Sequence, residues 1–480
     1  MKNFSLSAFL SIILSIGLFA CSQSEEIIDI SAIHDVDNAI EVTDPKMVNK
    51  KELNRVIIDH LMGDSDKSRS SLGYTVSTIK DDNGNDAIYV VNFANDGGFV
   101  LVSAVKNYYP ILAYSDYGNF DVSRASNLGT EKWIESAKSF IQHSDTINQD
   151  TIANYHSIWR KYELRRTQKF VQSRSCPDEY QLQQIFQDSI SSWMANSDYN
   201  IIWYGDPITG DESQDQQIWQ DAIDAVYPLY EEEAERFIVG LESVETTTEH
   251  IGVNIQTKWG QSGNFNQSFP YATGSPNVHK YVGCVLVATG QVMYYYKYPT
   301  SYDWNNMPLT YGTQTTSDFL LDLYNRTNLY YHINDSIVET GIPTYKMKNV
   351  FSDFGYTTNI CNPFNFGRLS ENLRLKHPVI VAAENDTNEN MRHAFIIYAA
   401  NITVHSFRKG IWTFTDRLRF QECFGIQLQD ITYQTFYAIN WGWNGLYDGY
   451  YDLSIPNNTT GYSACNFDYM LENIHPINNL

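Results

Sequence analysis

The sequence predicts an α+β fold from three features: a hairpin signal near the N-terminus, a long helical stretch in the middle, and an apolar helix followed by short strands. The hairpin is "AIYVVNFANDGGFVLVSA" (87–104), two β-branched and aromatic runs joined by Asn95, Asp96, Gly97 and Gly98. Before it, "MVNKKELNRVIIDHLM" (47–62) sets Leu53, Val56, Ile57, His60 and Leu61 on one helical face, and after it "PILAYSDYGNF" (110–120) offers a third strand. Together these make a small α+β unit over about 46–150. Helical periodicity then dominates from about 129 to 240, in "TEKWIESAKSFIQH", "TIANYHSIWRKYELRRTQKFV", "EYQLQQIFQDSISSWMA" and "QQIWQDAIDAVYPLYEEEAERFIVGL", broken by the loop "YGDPITGDESQD" (204–215). "ESVETTTEH" (242–250) carries charge and threonine without an apolar period and reads as a linker, so a helical connecting region is expected over 151–245 and a last domain over 246–480. That domain opens with a buried helix around Cys284. Strands are expected at 377–383, 393–404, 435–443 and 446–454, which gives a helix packed on an antiparallel sheet.

A chain of 480 residues with 43% hydrophobic content has enough material for two or three cores. Its net charge of -23, from 33 basic and 56 acidic residues, argues against a polyanionic partner, and no nucleic acid is expected. The first residues combine a basic start, an apolar run from about Phe4 to Phe19 and a small residue before Cys21. That build is a signal peptide over 1–20. Its end resembles the lipobox of bacterial lipoproteins, which implies acylation of Cys21, a flexible tether over 21–45, and a lipid-anchored protein at the outer membrane or cell surface, or one released after processing. The alternative is an ordinary secretory signal. The cysteines at 21, 176, 284, 361, 423 and 465 have no metal-site spacing, and there is no CxxC or HExxH motif, so neither metal nor cofactor is expected. Setting Cys21 aside leaves an odd number, which directs attention to a free thiol.

Cys284 follows Gly283 at the head of "CVLVATGQVMYYYKYP", where a capping glycine starts the helix and Pro299 stops it. A thiol on a first helical turn faces unsatisfied N–H groups and the positive end of the dipole, both of which favour thiolate. The competing reading is an inert core cysteine. His393 opens a strand after the polar loop "ENDTNENMR" (384–392), a rim position that suits a base near neutrality, or equally a hydrogen-bonded structural histidine. "INWGWNGLYDGYY" (439–451) ends a strand on Asn440, whose amide oxygen can accept from an imidazole N–H, while Trp441 can shield that bond. An aromatic turn that only packs is the alternative. Gln261, in "TKWGQSGNFNQSFP" (257–270), can supply an oxyanion donor together with the Cys284 backbone N–H.

The order of these motifs resembles the streptopain family of papain-like cysteine peptidases. Gly283, Cys284, Val285, Ala288, Gln291, Met293, Tyr295, Tyr298 and Pro299 match its nucleophile motif, His393 to Ile397 its histidine motif, and Asn440 to Tyr451 its NWGWxGxxDGYY signature. "TKWGQ" is similar to its oxyanion segment. "VNFANDGGFVLVSAVKNYYPILAYSDYGNF" (91–120) resembles its prosegments and the related small protease inhibitors. The resemblance implies a two-lobed papain-like domain, a zymogen inhibited by its own prodomain and cut in or near 235–252, polypeptide substrates, and catalytic roles for Cys284, His393, Asn440, Trp441 and Gln261. Cys284 and His393 stand 109 positions apart, His393 and Asn440 a long 47, owing to an apparent insertion at 401–434. Arg392 replaces the family's glycine beside the histidine. These two departures keep an alternative open: a catalytically inactive relative acting as a protease inhibitor or surface-binding lipoprotein. The 34 tyrosines and 10 tryptophans would suit a glycan-binding surface. A transglutaminase-like acyl transferase usually has Asp at the position of Asn440.

Overall fold

A computed structural model describes residues 46–63, 73–122, 129–162, 177–195, 199–208, 210–227, 234–272, 275–327, 342–383, 393–414, 420–453 and 467–477. The signal peptide, Cys21, the tether, Cys176, Arg392 and Cys465 lie outside the described residues.

The N-terminal unit pairs one helix, α1 (Lys50–Gly63), with an antiparallel meander of β1 (Tyr74–Lys80), β2 (Asp86–Phe93), β3 (Phe99–Ser103) and β4 (Ile111–Ser115). Asn95 (φ 60°), Asp96 (φ 55°) and Gly98 (φ 104°) make the β2–β3 turn at the residues the sequence marks for it. Val56 and Ile57 pack with Tyr74, Val91, Val100 and Trp159 on one face of this sheet. α2 (Thr130–Gln142) lies on the other face, and α3 (Gln149–Trp159) follows it.

The next stretch is not only helical. α4 (Pro177–Ala195) and α5 (Glu212–Val226), the latter capped by the Asp211 carboxylate at 3.0 Å from the Gln214 N–H, alternate with β5 (Tyr199–Ile202) and β6 (Ile238–Gly252). The expected linker at 242–250 is therefore strand, and the boundary expected between 245 and 246 falls inside β6. The physical reason is a distant partner. β6 runs antiparallel to the chain at 399–413, most of it inside the apparent insertion, and its threonines lie in a stretch, 245–250, exposed on both faces.

The C-terminal region continues with β7 (Tyr271–Ala272), β8 (Ser275–His279), α6 (Cys284–Tyr296), α7 (Gln314–Arg326), α8 (Met347–Asp353), β9 (Tyr356–Cys361) and α9 (Phe366–Arg374). It closes with β10 (Val379–Ala383), β11 (His393–Phe414), β12 (Phe420–Asn440), β13 (Gly449–Asp452) and β14 (Tyr469–Pro476). The insertion at 401–434 proves to be the outward extension of the β11–β12 hairpin. One sheet runs β1-β2-β3-β4-β13-β12-β11-β10-β14-β9, joined across the two units by Tyr114 opposite Tyr450 and Ala113 opposite Tyr451.

Alternation along the central strands divides two cores. Ile380, Ala394 and Ile396 face a helical lobe built on Leu286, Met293, Phe319 and Phe351, whereas Val381, Phe395 and Ile397 face the core that holds Trp133 and Phe140 of α2. With both faces covered, these strands read as unbroken apolar runs. α6 is buried from Val285 through Met293, as its sequence implies, and it ends on left-handed Lys297 (φ 51°), two residues before Pro299. The fold is thus α+β, with the buried helix lying against the antiparallel sheet.

Candidate active site

Gly283, at φ 92° and ψ 141°, adopts a conformation that a side chain would disfavour, and it delivers Cys284 as the first residue of α6. The half-buried thiol sulfur accepts the Ala394 N–H at 3.3 Å. Helix start and strand start therefore meet at the sulfur, with His393 the adjacent residue on β11. Cys361, on β9, is also a free thiol. Burial, with the Glu472 charge, pushes its pKa up.

The His393 ring is buried and stacked between aromatic neighbours: Phe395 at 6.0 Å, Trp441 at 6.3 Å and Trp443 at 6.4 Å between centroids. Its Nε2 lies 3.1 Å from the Trp441 carbonyl oxygen. A carbonyl only accepts, so Nε2 carries the proton. Nδ1, which has no hydrogen-bond partner among the described residues, is left with a bare lone pair. In this tautomer Nδ1 is the nitrogen able to take up a proton. Burial holds the ring's pKa down at about 4; the Trp441 carbonyl works against this and the Lys132 charge works with it.

Lys132 belongs to α2, and α2 supplies the cover. A Cβ at Gly129, just ahead of that helix, would stand 2.2 Å from Cζ3 of Trp441 and 3.1 Å from Cδ2 of His393. Only a residue without a side chain fits that contact as it stands. Nothing in the sequence around Gly129 marks it, because the contact joins positions remote along the chain.

Asn440 ends β12 as expected, but it does not orient the ring in this form. Its Nδ2 donates to the Thr257 carbonyl at 2.7 Å and to Gln291 Oε1 at 3.1 Å, while its Oδ1 accepts from Gln291 Nε2 at 3.0 Å and from the Gly442 N–H at 3.0 Å. The amide is saturated by these partners, and the Trp441 carbonyl takes the imidazole proton instead. Gln291 lies two turns beyond Cys284 on α6 and also accepts the Trp259 N–H at 3.1 Å, so it ties nucleophile helix, oxyanion segment and β12 together. A buried glutamine in an apolar helix was the available signal. Gln261 is buried, and its carbonyl accepts the Val282 N–H at 2.9 Å, which fixes this loop two residues from the thiol.

Trp441 packs over His393 at an interplanar angle of 19°, and its N–H donates to Asp448 Oδ1 at 2.8 Å. Asp448 is buried, which raises its pKa to about 7 against the pull of the Trp441 N–H and of Lys258. The two faces of one peptide segment thus hold an imidazole and a carboxyl group.

A half-buried thiol at a helix start, a base in the right tautomer and N–H donors nearby can together perform acyl transfer. Residues 259–451 match the Peptidase C10 family. Residues 45–141 match the Spi protease inhibitor family. The Peptidase C10 match takes in Gln261, Cys284, His393, Asn440 and Trp441, and the inhibitor match takes in Gly129 and Lys132. A papain-like peptidase domain is therefore preceded by an inhibitor-like prosegment, and together these support a cysteine peptidase zymogen. A solved fragment of prointerpain A from Prevotella intermedia is also similar, at 15% identity over 84% of this chain and 99% of that chain, with a TM-score of 0.42. No curated protein matches the chain.

The two shifted groups act on stability with opposite sign. Unfolding returns His393 from about 4 to 6.5, so the unfolded chain binds more protons there and stability rises with pH across that window. Unfolding returns Asp448 from about 7 to 3.8, so the folded chain binds more protons and stability falls as pH rises. Asp448→Asn removes the second slope and keeps an acceptor for Trp441. Its urea midpoint is expected to climb more steeply than wild type between about pH 4 and 6.5; parallel profiles would contradict this pairing of effects.

Proposed function

We propose that the chain is a secreted cysteine endopeptidase made as a zymogen, with Cys284 as nucleophile and His393 as its base. One observation carries the reading: the Cys284 sulfur, at the start of a buried helix, accepts the N–H of the residue next to an imidazole whose Nδ1 lone pair is bare. In the reaction the thiol proton passes to Nδ1, and the thiolate attacks the substrate's amide carbon. The resulting oxyanion takes hydrogen bonds from the Cys284 N–H and the Gln261 amide. The imidazolium then gives its proton to the departing amine, leaving a thioester. Water, deprotonated by His393, adds to the thioester, and collapse releases the new carboxyl group and regenerates the thiol. Asn440 serves this chemistry through Gln291, by fixing the segment from which the Trp441 carbonyl holds Nε2. Trp441 excludes water from that bond.

The same geometry explains latency. A base held at about 4 cannot keep a thiol's proton, so the covered pair stays neutral rather than becoming thiolate and imidazolium. Withdrawal of α2 removes Gly129 from the ring, readmits water, and lets the pKa return toward its ordinary range. Residues 1–21 support export and a lipid anchor on Cys21, which places the polypeptide substrates outside the cytoplasm.

On incubation in reducing buffer, purified full-length protein is expected to lose its prosegment and then degrade casein, while Cys284→Ala stays intact. Equal processing of both would rule out self-cleavage. Gly129→Leu, which forces α2 off Trp441, is expected to shorten the lag before casein cleavage; an unchanged lag would remove Gly129 from the account of latency.

A further inference from the structure

The stretch between prosegment and peptidase domain is built into the catalytic sheet. β6 is paired along both edges: Ile238–Gly252 runs against β11 from Thr413 to Ala399, and Gly240 to Ser243 also pairs with β5. Gly240 sits so close to its neighbour that a Cβ there would lie 2.9 Å from Ile202 Cβ. α4, β5, α5 and β6 enclose a core of their own, with Phe186, Ile190, Trp219, Phe237 and Val239 gathered around Ile411 of β11. Every residue given to that core lies at or beyond Phe186, whereas the main core mixes Trp133 and Phe140 of the prosegment with Phe395 and Tyr451. Lys409, also on β11, donates to the Ile208 carbonyl at 3.0 Å.

Resting on the zymogen reading, we infer that α4, β5, α5 and β6 form a permanent lobe of the mature peptidase, and that this lobe is the second seat of the prosegment. The seat centres on Glu242, a buried carboxylate in β6. It accepts the Ser157 hydroxyl at 3.0 Å and pairs with the Arg160 guanidinium, at the end of α3 and just after it, beyond the inhibitor match but packed on the prosegment sheet through Trp159, and it also meets Asn200 at 3.3 Å and Lys409 at 3.6 Å. Departure of the prosegment together with α3 removes Ser157 and Arg160, while Lys409 remains to balance the charge and Asn200 to hydrogen-bond it. Among the described residues, the lobe core loses nothing by that departure. The resemblance implied a cut in or near 235–252, but from Ile238 to Gly252 such a cut would have to open a ladder of fifteen residues, whereas proteases take exposed, unpaired chain. The bond whose cleavage frees the prosegment therefore lies N-terminal to Phe186, the first residue of the lobe core.

The test uses full-length Cys284→Ala, digested with thermolysin at rising urea until β1–β4 are lost, with mass mapping of the surviving fragment that carries position 284. A fragment that still begins N-terminal to Phe186 is the expected result. A fragment beginning C-terminal to Phe186 overturns the inference. Gly240→Val, which drives β5 off β6 but leaves the β6–β11 ladder, is expected to move the fragment's start past β5, to between Ile202 and Ile238; a start still N-terminal to Phe186 in that variant also overturns it. Wild-type casein cleavage is read in parallel. A retained lobe in a protein that never cuts casein sinks the peptidase reading and leaves the lobe standing.

Discussion

The exclusion of water from one imidazole sets the state of everything near the thiol. His393 is packed among Phe395, Trp441 and Trp443, and the prosegment closes the remaining side at Gly129. A charged ring in that environment is unfavourable, so on the proposed mechanism the proton needed to ionise Cys284 has nowhere to go. The proposed latency acts through solvation. It requires the cover to be tight at the ring and strongly held elsewhere.

The holding is visible in the sheet. β4 adds to the edge of β13, and Tyr114 stacks on Tyr450 with centroids 5.0 Å apart and planes within 8°. Trp133 donates its indole N–H to the Asp452 carbonyl at 2.8 Å, and the Tyr108 hydroxyl meets the Asp452 carboxylate at 3.0 Å. Strand pairing, buried aromatics and the Glu242 cluster anchor the prosegment at separated points. Hydrogen bonds of this kind contribute about 1 kcal/mol each in net terms, so cover and core depend chiefly on their shared apolar burial.

Much of this was legible in the sequence wherever the determining residues are neighbours. The β2–β3 turn follows from Asn95, Asp96 and Gly98, and the start of α6 from Gly283 and the apolar run behind Cys284. β6 was illegible because its partner strand lies some 150 positions away, and a threonine-rich strand exposed on both faces has the composition of a linker until that partner is known. The role expected of Asn440 was misplaced for a related reason. Its residue type and strand-end position were readable, but the reciprocal amide pair with Gln291 that saturates it depends on the crossing of α6 and β12. Gly129, Asp448 and Glu242 gain their meaning only from tertiary contacts.

The central claim is that Cys284 becomes a thiolate once its imidazole is free to take a proton. Labelling with a thiol-reactive epoxide at neutral pH, followed by mass mapping, tests it most directly, with Cys361 as the internal control thiol. The account predicts modification at Cys284 alone, fast in protein freed of its prosegment, slow in the full chain and slow in His393→Ala. A prosegment-free protein whose Cys284 stays unmodified, or reacts no faster than Cys361, would contradict it.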